Sequence, residues 1–386
     1  MQIKKAVGVL LAVIMCSCTT EPSPDLTVIT RADTVTEDVG DSELRMPEGM
    51  VTKYFSLGFD KRMQDAYDGV TDTVSHMEKT SVIPLTVSTE DYYKVLNIVR
   101  CEQLGFFFLE DRTIGEYNTS AQSFEMDFTY RYSMTEVNAM LSRVEEEGKK
   151  ILELTDASMT DYDKLKIFHD YLVRNVESGD DENSDSIYGA LVEKHALCEG
   201  YAKAFSYLCN LAGIENMIVT GFTDIDHMWN MVKVDGNWYH VDVGWDRPAE
   251  ALLEKCPDMV LYQYFLATDE VRSRHCQISK SMGEPPSADS TDLNYFLREG
   301  CYADTYKGVL SVIENKCRSC IDSGSDHFMI KLDSEELYDA TLINLTFTDD
   351  DGTTDIQRIA DSIGFRGEIS CTDYYKDDLI IIFMLE

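Results

Sequence analysis

The chain reads as an α+β protein, and three stretches predict this. In "SFEMDFTYRY", Phe124, Met126, Phe128, Tyr130 and Tyr132 alternate with polar residues, the period of a half-buried strand. Helix starts are equally plain. Ser133 and Glu136 in "SMTE" form a capping box, and Thr160 opens a second helix with Asp161 and Asp163 in its first turn. Leu165, Phe168, Leu172 and Val176 supply the apolar stripe of that second helix. Finally, "HMWNMVKVDGNWYHVDVGW" sets two strand-like runs around Asp235-Gly236, a dipeptide suited to the tight turn of a hairpin. The 386 residues leave room for about two or three domains.

A formal charge of −36 argues against nucleic acid or an anionic membrane face as partner, since neither attracts such a surface. The N-terminus reads as a targeting segment. Lys4 and Lys5 precede an apolar run, Ala6 to Met15, that is too short to span a bilayer. "MCSC" follows and resembles the lipobox of bacterial lipoproteins, with Cys18 as the lipidated cysteine, Cys16 as the alternative, and an ordinary cleaved signal peptide as the other reading. Residues 1–18 are thus expected to be a lipoprotein signal peptide and 19–50 an acidic flexible tether. The mature protein is expected outside the cytoplasm, at a bacterial cell surface or in the periplasm, touching the membrane through its N-terminal lipid only.

Three regions follow the tether: an N-terminal α+β module at 51–150, a core at 151–285 and a small α/β module at 286–386. In the last, "HFMIKL", "TLINLTF" and "DLIIIFML" read as strands and "TYKGVLSVIE" as a helix. With Cys16 and Cys18 set aside, nine of eleven cysteines remain, an odd number for a disulfide framework. The pair Cys317 and Cys320 has no second pair at zinc-ligand spacing, so a local disulfide or two thiols is expected there. Asp181, Asn183 and Asp185 resemble the start of a calcium loop, but the turn glycine is missing and Val192 replaces the bidentate Glu. No metal or cofactor is expected.

The chemistry gathers in the core. "ALCEGYAKAF" puts Cys198 in the first turn of a helix whose apolar face runs through Tyr201, Ala202, Phe205, Leu208, Cys209 and Ala212 before Gly213 ends it. A type I′ turn at Asp235-Gly236 sets Trp229 opposite Asp242, with His227 two residues further along that face as its diagonal neighbour. A helix N-terminus favours a thiolate. His227 can take its proton and return it to a leaving amine, Asp242 can orient the imidazole, and the Cys198 N–H can serve an oxyanion.

"CEGYAKAF", "HMWN" and "WYHVDVGWD", in this order, resemble the transglutaminase-like superfamily in its bacterial secreted branch. Weaker likeness extends through "KLKIFHDYLVRNV", "IYGALVE" and "YFLATDE" to about 110 residues in all. The resemblance implies a papain-like core, a Cys-bearing helix packed on an antiparallel sheet, with Cys198 as nucleophile, His227 as base and Asp242 as orienting acid. Met228 and Gly244 depart from the family's common Ala and Thr. The family includes cross-linking enzymes, cysteine peptidases, amidases and inactive binding modules.

Plainer readings stand beside these. Cys198 could be a core filler, as Cys209 is expected to be. His240 shares the face of Asp242 and is the rival base, while Trp229, Tyr188 and His195 are candidate cleft residues. The resulting expectation is a surface-anchored cysteine enzyme acting on peptide or carboxamide bonds of a peptide or protein outside the cytoplasm. Hydrolysis is favoured over transamidation, because water competes unless a site excludes it. The alternative is a non-catalytic peptide- or cell-wall-binding module using the same cleft.

Overall fold

The computed structural model describes residues 41–84, 87–110, 114–118 and 123–386. The lipidation candidates Cys18 and Cys16 and the tether up to residue 40 lie outside the described residues. Residues 41–50, assigned to the tether by composition, lie against the folded body instead. The Arg45 amide donates to Asn138 Oδ1 at 2.8 Å, Asn138 Nδ2 donates to the Glu43 carbonyl at 2.9 Å, and Met50 is buried. Among the described residues no helix is long and apolar enough to cross a membrane.

Helices α1 (Lys61–Ser75) and α2 (Thr89–Glu102) start at Asp60 and Ser88, whose side chains accept from first-turn amides. They accompany a three-stranded antiparallel sheet of β1 (Thr80–Pro84), β2 (Ile114–Asn118) and β3 (Ser123–Asp127), with β3 in the centre. The alternating stretch is a strand only as far as Asp127, because its partner β1 begins at Thr80. Beyond it the chain stays extended, with Phe128 buried and Tyr130 bridged to Leu109. α3 (Met134–Leu152) carries the expected capping box of Ser133 and Glu136, and α4 (Asp161–Asn175) starts at the expected cap Thr160, where Asp163 completes a second box. Val176 stands just past the end of α4 in extended conformation, still fully buried.

Two short strands, β4 (Glu177–Ser178) and β5 (His195–Ala196), pair in parallel and deliver the chain to α5 (Cys198–Leu211). α5 is buried nearly all round, Glu199 to Cys209 without a break, as a helix held between layers must be. It lies on a five-stranded antiparallel sheet of order β10-β6-β7-β8-β9: β6 (Asn216–Phe222), β7 (Asp226–Val234), β8 (Asn237–Val241), β9 (Phe265–Ala267) and β10 (Gln277–Ile278). The turn joining β7 to β8 is the expected type I′, with φ of 51° at Asp235 and 83° at Gly236, and Val234 pairs with Asn237. The α+β class holds, with a Cys-bearing helix on an antiparallel sheet. N-terminal helices and core share one apolar cluster, from Val70 and Val95 through Leu165 and Phe205 to Val232 and Phe265.

The short helices α6 (Glu250–Leu253) and α7 (Asp269–Ser273) flank β9. The core reaches past residue 285, where the Ala288 amide donates to Asp269 Oδ2 and the Tyr239 hydroxyl bonds Ser290. A second apolar cluster then lies under a four-stranded sheet, β11 (Tyr302–Ala303), β12 (His327–Leu332), β14 (Ile380–Leu385) and β13 (Ile369–Tyr375) in spatial order. "TLINLTF" is not a strand but the second half of the helix Glu335–Thr346. Its Ser334 cap and the acidic first turn lie upstream of the apolar run, and Tyr338, Thr341 and Leu345 bury one helical face. Cys317 and Cys320 are two buried thiols on the helix Tyr306–Ser323.

Gly200, in the first turn of α5, lets that turn approach the preceding loop: a Cβ there would collide with the Ser184 carbonyl oxygen. Gly200→Ala should therefore cost about 1–3 kcal/mol of stability, read as a lower urea midpoint at constant slope. An unchanged midpoint would mean that the loop yields.

Candidate active site

Cys198 is the first residue of α5, capped by Leu197, whose amide donates to the Ser184 carbonyl at 2.7 Å. It is partly exposed and not in a disulfide, whereas Cys209 is fully buried and its thiol is pushed well above the usual range by burial. Cys198 and His227 line one cleft of about 620 Å³. The imidazole Nε2 of His227, on β7, donates to Asp242 Oδ2 at 2.6 Å. With Nε2 so engaged, Nδ1 is the ring nitrogen that can serve the thiol.

Asp242 follows β8 and is 2% exposed. Its Oδ1 accepts from the Trp245 amide at 3.1 Å, and its Oδ2 also faces Arg272 Nη1 at 3.0 Å. Burial opposes ionisation of this carboxyl, but its neighbours His227 and Arg272 outweigh it and hold the group below the usual carboxylate range. Both Trp229 and Trp245 stack on the His227 ring, at centroid distances of 5.7 and 4.6 Å.

The rival base, His240, is excluded by its bonding. Its Nδ1 accepts from Trp229 Nε1 at 3.0 Å and its Nε2 donates to Asp269 Oδ1 at 2.7 Å, which makes it a neutral, buried linker. Burial also lowers its proton affinity. The three candidate cleft residues are placed elsewhere. Trp229 is 1% exposed and backs His227 rather than walling the cleft. Tyr188 is buried, stacked on Phe107 and bonded by Arg143. His195 pairs with Asp181 at 2.9 Å beside the cleft rather than in its lining. The hydrophobic effect accounts for the first two, since large rings gain most by full burial.

The actual walls come from further away. α2 contributes Asn97 and Arg100, the acidic loop Asp180, Asp181 and Asp185, and the segment after β10 Ser281 and Met282. Met228, one of the two family departures, also lines the cleft. The supposed calcium ligands are engaged within the protein. Asn183 Oδ1 accepts from the Tyr132 hydroxyl, and Asp185 holds Arg131 through both oxygens. Among the described residues, Cys256, Asp326 and His327 are the group whose atoms could share a metal ion, and they are not part of the cleft.

Two features had no signal in sequence. Glu199, beside the nucleophile, is buried and bonded by Arg100 of α2 at 2.8 Å and paired with Lys203 at 2.7 Å. Burial would raise its carboxyl, but Lys203 and Arg100 prevail and bring it down to about 2. An acidic residue in a first helical turn is ordinary, so nothing marked it out. Arg272 sits in the charged run "TDEVRSRHC", which reads as surface helix.

Residues 150–243, about a quarter of the chain, match the family model described as the transglutaminase-like superfamily, and this stretch is a transglutaminase-like domain. Kyphoscoliosis peptidase of Homo sapiens is 36% identical over 61 residues, 12% of this chain and 9% of that protein. The Mus musculus form is 33% identical over the same length. The chain thus matches about a tenth of the length of these relatives. A crystal structure of a TGase superposes with a TM-score of 0.25 at 14% identity, covering 34% of this chain and 44% of that one. A Cytophaga hutchinsonii structure, provisionally described as a cysteine protease, gives 0.25 at 11% identity over 46% and 73% of the two chains.

The lowered carboxyl of Asp242 predicts a pH dependence. An acid with a depressed folded value stabilises the fold above its unfolded value near 3.8, and that contribution is lost as pH falls through the folded value. Asp242→Asn should flatten the acid side of the stability curve below about pH 4. Urea midpoints measured from about pH 2 to 6 test this, and parallel curves for both proteins would contradict it.

Proposed function

We propose that the protein is an extracytoplasmic, lipid-anchored cysteine hydrolase that cleaves peptide or carboxamide bonds through an acyl-enzyme on Cys198. The observation that carries this reading is the shared cleft of Cys198 and His227, with the far nitrogen of His227 on buried Asp242. The anchor rests on the lipobox-like "MCSC".

His227 Nδ1 takes the thiol proton, and the thiolate sulfur bonds to the substrate carbonyl carbon. The tetrahedral intermediate collapses as the C–N bond breaks and the imidazolium gives its proton to the leaving amine. Water then attacks the thioester, its proton going to His227, and the acid and the thiol are released. Polar side chains line much of the cleft, so water reaches the thioester readily, which favours hydrolysis over transfer to an amine.

Alkylation by iodoacetamide at about pH 5.5, followed by intact mass, tests the reading directly. Rapid labelling at one site, lost in Cys198→Ala and strongly slowed in His227→Ala, is expected. Slow labelling indifferent to His227 would move the protein to the binding-module class.

The acidic wall of Asp181, Glu182 and Asp226 further favours a substrate segment bearing Lys or Arg. In peptide profiling, Lys-flanked sequences should be turned over roughly tenfold faster than Glu-flanked ones at low salt. The preference should shrink in about 1 M salt, where screening is nearly complete beyond about 3 Å. Equal rates at low salt would remove the wall from the specificity argument.

A further inference from the structure

Arg272, on α7 and outside the matched residues 150–243, has no place in the triad scheme, yet it is fully buried against the triad. Its guanidinium carbon lies 4.0 Å from the Trp229 ring centroid, 4.3 Å from that of Trp245 and 5.1 Å from that of Tyr264. Nη1 is 3.0 Å from Asp242 Oδ2, the same oxygen that takes the His227 proton donor at 2.6 Å. The two tryptophans that clasp the guanidinium also stack on the imidazole. Guanidinium and imidazole thus occupy one aromatic slot and share one carboxylate oxygen.

A buried guanidinium cannot shed its proton, and isolating it in an apolar slot is costly. Its cation–π contacts and its pairing with Asp242 offset that cost. The arrangement has two consequences for the triad. The carboxylate is kept charged and aimed, since rotating it would strand a buried cation. The positive charge also counters part of the pull of Asp242 on the His227 proton, so the imidazolium is not trapped as a permanent ion pair.

We propose that Arg272 is a positioning residue of the triad, holding Asp242 aimed at His227 Nε2 and keeping the His227 imidazolium ready to release its proton. This rests on the cysteine-hydrolase reading for its catalytic meaning, although its electrostatic content does not. The titratable groups facing Arg272 are Asp242 at the end of β8, His240 on β8, Tyr264 before β9 and Cys276 on its own segment, with His227 beyond Asp242. Removing a fixed positive charge raises the proton affinity of the groups around it, so as long as Asp242 stays ionised the effect on His227 is upward.

The test is an NMR titration of the His227 ring in the mature chain, assigned with His227→Gln, for the wild type, Arg272→Met and Arg272→Lys. Arg272→Met should raise the proton affinity of His227 about tenfold or more, and Arg272→Lys should restore most of the wild-type value. Iodoacetamide rates at Cys198 should fall roughly tenfold or more in the Met variant, as Asp242 loses its buried ion-pair partner and its aim on His227, with the pH profile displaced to the alkaline side. Arg272→Gln, which drops the charge and keeps hydrogen-bonding capacity, replaces the Met variant if that one does not fold. A His227 titration unchanged by loss of the charge overturns the proposal. Slow wild-type labelling with a shifted His227 titration would instead sink the hydrolase reading and leave the role of Arg272 standing.

Discussion

Asp242 is a carboxylate almost completely withdrawn from water, and burying such a charge is tolerable only when its oxygens are fully engaged. The Trp245 amide engages one oxygen, while His227 and Arg272 converge on the other. Much of the local architecture follows from this demand. The two-residue turn at Asp235-Gly236 keeps His227 and Asp242 on one face, because a slip of one position would send them to opposite faces. Trp229 and Trp245 pack on both side chains that reach Asp242, the His227 imidazole and the Arg272 guanidinium. His240 is drawn into the same buried network as a spacer between Trp229 and Asp269, which removes it from the chemistry.

The other half of the site depends on where α5 begins. Its first turn is held by Leu197 against Ser184, by the close approach at Gly200 and by the ion pairs of Glu199 with Arg100 and Lys203. Arg100 belongs to α2, so the N-terminal region does more than flank the core: it anchors the helix that carries the thiol and lines the cleft. On the far side, α7 brings Arg272 to Asp242, and the residues just after it meet the turn between β13 and β14 through His275 and buried Asp378, 2.9 Å apart. The cleft is therefore assembled from segments on both sides of the helix–sheet core.

Local signals identified the machinery in the linear chain but not its surroundings. Capping boxes at Ser133 and Thr160, the glycine stop at Gly213 and the Asp-Gly turn all act within a few residues, and each appears where its pattern lies. "TLINLTF" misled because its helix starts upstream, under a cap that the apolar run does not contain. Trp229, Tyr188 and His195 were reasonable cleft candidates by residue type, yet whether an aromatic ring walls a cleft or fills a core depends on its neighbours in space.

The sequence by itself determined the α+β class, the helix that begins at Cys198, the hairpin and hence the pairing of His227 with Asp242. These are short-range matters of capping, periodicity and register, written within windows of some twenty residues or fewer. Only the tertiary structure decided that Glu199 meets Arg100, that a charged run near residue 272 turns inward, and that the cleft wall is acidic. Those outcomes arise from packing between segments some thirty to a hundred residues apart. A buried charge has no local signature, because what makes it tolerable is a partner the chain brings to it only on folding.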